Sequence, residues 1–180
     1  MKKVLSVLAV LAVAAGFAFA DSDPKSFKLT TSVKEVNKFK VYAPTDRTLT
    51  YADVVGDTLT ENLGSAEVST EEKELKTVAV ATNLKNHTIT VTATGTALKS
   101  GTATTTMGYT FTVDSKSPVA VDKSATAEQP AILGEIVTLT GDGGQNVAQA
   151  LLKATVNSDD YKDAAAGNYE ATVTLTVTGA

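Results

Sequence analysis

The feature that most constrains this chain is a strict period of two. Phe27, Leu29, Thr31 and Val33 alternate with Ser26, Lys28, Thr30, Ser32 and Lys34, and much later Tyr169, Ala171, Val173, Leu175 and Val177 alternate with Glu170, Thr172, Thr174, Thr176 and Thr178. Successive side chains of a strand point to opposite faces, so each segment has one side suited to a core and one suited to water. Ile89, Val91 and Ala93 repeat the pattern against the threonines of 88–94. The 29 threonines of the chain fit the same picture. A β-branched residue with a hydroxyl suits the wet face of a strand better than the interior of a helix.

Further strands are expected at 38–42, stopped by Pro44, at 77–81, and along Met107, Tyr109, Phe111 and Val113 up to the turn Ser115-Lys116-Ser117-Pro118. Val119 and Val121 begin another, and 135–140 gives one more that ends at Gly141-Asp142-Gly143-Gly144. Short strands with regular turn signals predict an all-β sandwich in one domain. Two stretches fit less well. The stretch 45–76 carries Glu61, Glu67, Glu71, Glu72 and Glu74 and reads as a long surface excursion with at most one short strand. The stretch 147–156 fits a helix, through Ala148, Leu151, Leu152 and Thr155 on one face, or a strand; its β surroundings favour the strand, leaving 157–163 as a polar loop.

Lys2 and Lys3 precede an apolar run from Val4 to Phe19, and Ala18-Phe19-Ala20 has the small residues that precede signal-peptidase cleavage. Residues 1–20 are therefore expected to be a secretory signal peptide, the run being short for a membrane anchor. Losing its two lysines changes the formal charge from −4 to −6. An acidic chain with scattered Lys and Arg is unsuited to nucleic acid, which needs clustered cations. With no cysteine, the exported domain must be held by packing and ladder hydrogen bonds. With no Trp and 6% aromatic residues, its core must be built mainly from Val, Leu, Ile and Ala.

Catalytic constellations are scarce, so the chain is not expected to be an enzyme or to carry a cofactor or metal. The single histidine, His87, follows Asn86 in an expected turn and has no second His or Cys to work with. Asn157, Asp159, Asp160 and Asp163 lack the spacing and glycine of a calcium loop. Gly141-Asp142-Gly143-Gly144 lacks a phosphate-loop lysine and reads as a turn, and Asn86-His87-Thr88 is a glycosylation sequon too short to be informative.

Phe27-Lys28-Leu29-Thr30-Thr31-Ser32-Val33, together with Ala166-Gly167-Asn168-Tyr169 and the alternating strand that follows, resembles the subunits of chaperone-usher fimbriae, in particular the class 5, alpha-type colonisation-factor pilins. The resemblance covers the two ends; the middle is similar only in size and strand character. It implies an immunoglobulin-like sandwich (37–180) that lacks one strand, preceded by an N-terminal donor segment (21–36). Phe27, Leu29, Thr31 and Val33 would enter a neighbour's acceptor groove beside Tyr169, Ala171, Val173, Leu175 and Val177. Lys34-Glu35-Val36 stands where a proline commonly follows the family's donor strand, which leaves the end of that strand open.

The resemblance further implies a shaft subunit of a surface fimbria, exported through the periplasm. Its partners would be neighbouring pilin subunits joined head to tail, a periplasmic chaperone, an outer-membrane usher and a tip adhesin. The alternative is a secreted immunoglobulin-like module that completes its own sheet and binds a glycan or protein through loops such as 157–163. For Tyr169, following Gly167 at the head of the closing strand, a corner tyrosine bonded to upstream backbone is expected rather than a surface recognition role.

Overall fold

The computed structural model describes residues 33–56, 59–101, 105–114 and 116–179. The chain divides into two units, Met1–Val33 and Lys34–Ala180, and of the first only Val33 is among the described residues. The leader and three of the expected donor residues, Phe27, Leu29 and Thr31, thus lie outside them. Val33 belongs to no strand and is 81% exposed.

Strands make up 50% of the described residues, in antiparallel sheets with few helical residues. In chain order they are β1 (Asn37–Tyr42), α1 (Tyr51–Val55), β2 (Lys73–Thr82), β3 (Lys85–Gly95), β4 (Leu98–Ser100), β5 (Thr106–Met107), β6 (Tyr109–Val113), β7 (Val119–Val121), β8 (Ala131–Asp142), β9 (Asn146–Val156), α2 (Ser158–Asp163), β10 (Tyr169–Glu170) and β11 (Val173–Thr178). One sheet has five strands in the order β1-β2-β9-β6-β7. The other layer consists of two three-stranded pieces, β11-β3-β8 and β10-β4-β5. These pieces are joined at a bend, where the Thr96 N–H donates to Thr172 O at 3.0 Å and the Thr172 N–H donates to Thr96 Oγ1 at 3.0 Å.

The alternation read from the sequence builds the core between the layers. Val78 and Val80 of β2, Leu152 and Ala154 of β9 and Phe111 of β6 meet Ile89 and Val91 of β3 and Ile136 of β8, all buried in one cluster. The opposite face of the β11-β3-β8 sheet is threonine. Thr174 pairs with Thr94, Thr176 with Thr92, and Thr178 with Thr90, which pairs in turn with Thr138. The hydroxyls of Thr88 and Thr140 bond at 2.9 Å, and that of Thr138 donates to Thr90 at 3.2 Å. The stretch 146–156 is the strand β9, as its surroundings indicated.

The stretch 45–76 departs from the expected surface excursion. Its first part covers the outer face of the five-stranded sheet, where Leu49 and Val54 join Tyr42, Ala79 and Ala81 in a second buried cluster. This explains why β2 is buried on both faces over Thr77 to Thr82. Gln149 fixes the cover from β9, accepting from the Leu49 N–H at 2.6 Å and donating to Arg47 O at 3.1 Å. Thr50 caps α1 and forms a capping box with Asp53, whose carboxylate also pairs with Arg47 at 2.5 Å. The periodicity gave no sign of this layer, because among the described residues of the segment only Leu49 and Val54 are fully buried.

The 157–163 stretch, expected as a loop, is the short helix α2 with its N-cap. Asn157 Oδ1 accepts from the N–H groups of Asp159 and Asp160 at 3.0 and 3.2 Å. Asp160 then accepts from the Gly108 N–H at 2.8 Å and from Lys123 Nζ at 2.9 Å. Gly108 is where the stripe from Met107 to Val113 breaks into β5 and β6, and its carbonyl accepts from the Asn157 N–H at 3.0 Å.

Candidate functional site

β11 is the outermost strand of its sheet, and no described strand pairs with its free edge. Its inward residues Val173, Leu175 and Val177 are only half-buried, while the inward residues of β9, from Ala150 to Val156, are buried throughout. β9 lies between β2 and β6, whereas among the described residues β11 is flanked on one side only, by β3, which leaves its inward positions less covered. The same edge opens onto a cleft of about 820 Å³. Leu98 of β4, Tyr109 and Phe111 of β6 and Leu152 of β9 form its apolar floor, and Val41, at the end of the edge strand β1, contributes from the facing sheet.

The sequence-derived acceptor residues are brought together here in part. Tyr169, Ala171, Val173 and Leu175 all line the cleft. Val177 packs against the core beyond its lining. The closing strand is broken at Ala171 and Thr172, where it bends from β10 into β11 and leaves Ala171 exposed. Tyr169 makes the upstream backbone bond expected of it, its hydroxyl donating to Ala165 O at 2.9 Å.

Residues 62–68 form a lip that the sequence did not signal. The Asn62 N–H donates to Val41 O at 2.8 Å, which lays the lip along the outer edge of β1, and Asn62 Oδ1 accepts from Lys76 Nζ at 2.8 Å. Leu63 is 76% exposed on this lip. Glu67 on the lip and Glu170 on β10 supply acidic groups at the cleft.

One polar atom in the cleft wall is unsatisfied. Tyr109 is 5% exposed, and its hydroxyl has no hydrogen-bond partner. Burial pushes the phenol up to about 12. The hydroxyl lies beneath Gly95, whose strand partner is the cleft residue Val173.

Elsewhere two carboxylates have close structural partners. Asp53 is held down at about 2 by the Thr50 N–H and hydroxyl and by Arg47. Asp160 is lowered by the Gly108 N–H and Lys123. His87 lies within β3, not in a turn before it, at a place where the β3–β8 ladder skips Asn86 and His87. Its Nε2 is 3.2 Å from Asn37 Nδ2. Among the described residues no group of three or more His, Asp or Glu side chains is placed to hold a metal ion. The cleft is a slot with an apolar floor and acidic groups at its rim, beside a strand edge that no described strand pairs. No protein-family model, curated protein or solved structure matches the chain.

Proposed function

We propose that the protein is a structural subunit of a surface fimbria, an immunoglobulin-like sandwich that is one strand short and is completed by the N-terminal segment of the next subunit. The observation that carries this reading is the half-buried inward stripe of β11 on an unpaired edge above the cleft. The segment 26–34 has the complementary alternation, with Phe27, Leu29 and Val33 as its apolar members. Burying those three contributes roughly 5 to 9 kcal/mol before the cost of ordering the strand. Head-to-tail strand addition does not close a ring, so it yields a filament. In this reading the subunit travels through the periplasm with its edge covered by a chaperone, is joined to its neighbours at an outer-membrane usher, and stands in a shaft that carries a tip adhesin.

The experiment is secretion of the full chain and of a chain lacking residues 26–34, followed by electrophoresis in detergent without boiling. The full chain should give a ladder of multimers, because escape requires withdrawal of the whole strand. The deleted chain should be exported and give none. A full chain that runs only as a monomer overturns the reading in favour of a self-complete binding module.

A further inference from the structure

Among the described residues the two sheets β1-β2-β9-β6-β7 and β11-β3-β8 end in the edge strands β1, β7, β8 and β11. Three of these edges carry features that discourage a further strand. β1 has Lys38 and Lys40, and its Val41 carbonyl is taken by the Asn62 N–H. β7 is three residues long and follows Pro118. β8 is irregular, its register with β3 shifting near Gly134, which has φ +89°. β11 has no charged residue, no proline and an unbroken register with β3. Because the Thr96 N–H donates to Thr172 O, Thr174, Thr176 and Thr178 direct their backbone groups toward β3, and Val173, Leu175 and Val177 direct theirs to the open side. Backbone pairing at such an edge suits any extended chain, so selection among chains must come from side chains. Glu67 on the lip and Glu170 on β10 line the mouth of the cleft, are exposed, and are in no ion pair among the described residues. Lys99, the ladder partner of Glu170, forms no ion pair with it, and Lys76 of the cleft lining is engaged by Asn62.

We propose that Glu67 and Glu170 draw the N-terminal segment of a second copy into the cleft by charge, and so set the rate at which subunits join. The proposal rests on the strand-exchange reading above. The segment 26–34 contains no acidic residue, and in an extended chain Lys28 and Lys34 share the side opposite Phe27, Leu29 and Val33. When the apolar side turns to the floor of the cleft, the lysines stay at its mouth, where the two carboxylates stand. A second open β11 edge is the competing partner, and pairing two of them would close a dimer and end growth. That approach brings no cation from β11 and sets the Glu67 and Glu170 of one copy near those of the other, so the same charges oppose it. Ion pairs at an exposed rim add little to holding power and act mainly on the encounter. The carboxylates therefore govern how fast subunits join, and the buried apolar side governs how long they stay joined.

The test follows a short pulse of labelled full chain from export into the detergent-resistant ladder. Glu67→Lys with Glu170→Lys should slow entry about tenfold, and Lys28→Glu with Lys34→Glu should slow it about as much. All four changes in one chain should return the rate to within about threefold of the unaltered chain, because the charges are again opposite. The lifetime of the ladder once formed should agree to within about twofold among all these chains. General repulsion between acidic subunits predicts the opposite sign for the first variant, which is the less acidic chain. Where the lysine substitutions prevent export, Glu67→Gln with Glu170→Gln takes their place, with entry slowed about threefold. Entry that is unchanged or faster when the rim is altered, a four-fold variant as slow as the slower of its parents, or a lifetime that falls in step with the rate overturns the steering and leaves strand exchange standing. An unaltered chain that stays monomeric removes strand exchange itself, and the steering with it.

Discussion

The hydroxyl oxygen of Tyr109 stands 2.6 Å from the point that a Cβ on Gly95 would occupy, so the two positions compete for one space. Gly95 closes β3 at the bend, and the phenol of β6 reaches across the core to fill the gap it leaves. Gly95→Ala should cost about 1–3 kcal/mol in urea unfolding as the ring is displaced. Adding Tyr109→Phe removes the colliding oxygen and should recover most of the loss. Independent, additive effects of the two changes would show that the positions do not share space.

A second expectation concerns the cover over the outer face of the five-stranded sheet. Gln149 makes two hydrogen bonds to it, through Leu49 and Arg47. Gln149→Ala should destabilise the fold by about 1–2 kcal/mol. It should also accelerate amide exchange at Leu49 and through α1 well before exchange rises in β3, because the cover opens as a local unit. Uniform acceleration across both layers would show the cover and the core to be one cooperative block.

Acid sensitivity follows from the carboxylates. Asp53, at about 2, and Asp160, also lowered, both have folded-state values below the unfolded value of about 3.9. Their stabilisation is present above that value and is lost as pH falls from about 4 toward 2. Asp53→Asn should make unfolding less dependent on pH in this window while leaving the dependence above pH 5 unchanged. Circular dichroism titration of the two chains measures the difference.

The side of the joining strand that faces inward is tested by charge. Under the proposed strand exchange, Leu29→Asp would bring a carboxylate into the apolar part of the cleft and should abolish the ladder, at a cost of roughly several kcal/mol. Thr30→Asp, on the wet side, should be tolerated. Equal effects, or the reverse order, would assign the wrong face to the cleft.

The sequence carried the strands well where alternation was strict. β3, β6 and β11 lie where their apolar residues place them, β9 is the strand that its β surroundings favoured over a helix, and the threonines form the wet face of the β11-β3-β8 sheet. Tyr169, Ala171, Val173 and Leu175 line one cleft, and Val177 does not. What escaped were features made by contacts distant in sequence. Leu49 and Val54 are isolated apolar residues in a polar stretch, and only the width of the five-stranded sheet gives them a surface to cover. α2 is too short to show a helical period and exists because Asn157 caps it and Asp160 reaches Gly108. The lip at 62–68 has no alternation and is placed by contacts distant in sequence, the Asn62 bond to Val41, the Lys76 bond to Asn62 and the packing of Val68 against the core.

The partnership of β11 with β3 has a kinetic consequence. It brings together positions as remote as Thr178 and Thr90, 88 residues apart, and β9 reaches β2 over a comparable span, with Ala154 pairing with Lys73. Pairings of this kind form slowly, because much chain freedom is lost before the first contact is made. Throughout that delay Val78, Val80, Ile89 and Val91, which show no surface once folded, are available to any other chain with an open strand. Refolding from denaturant should therefore be slow and increasingly incomplete as concentration rises, even when the folded unit is stable. The time needed to fold, more than the stability reached, is the property that this topology leaves exposed.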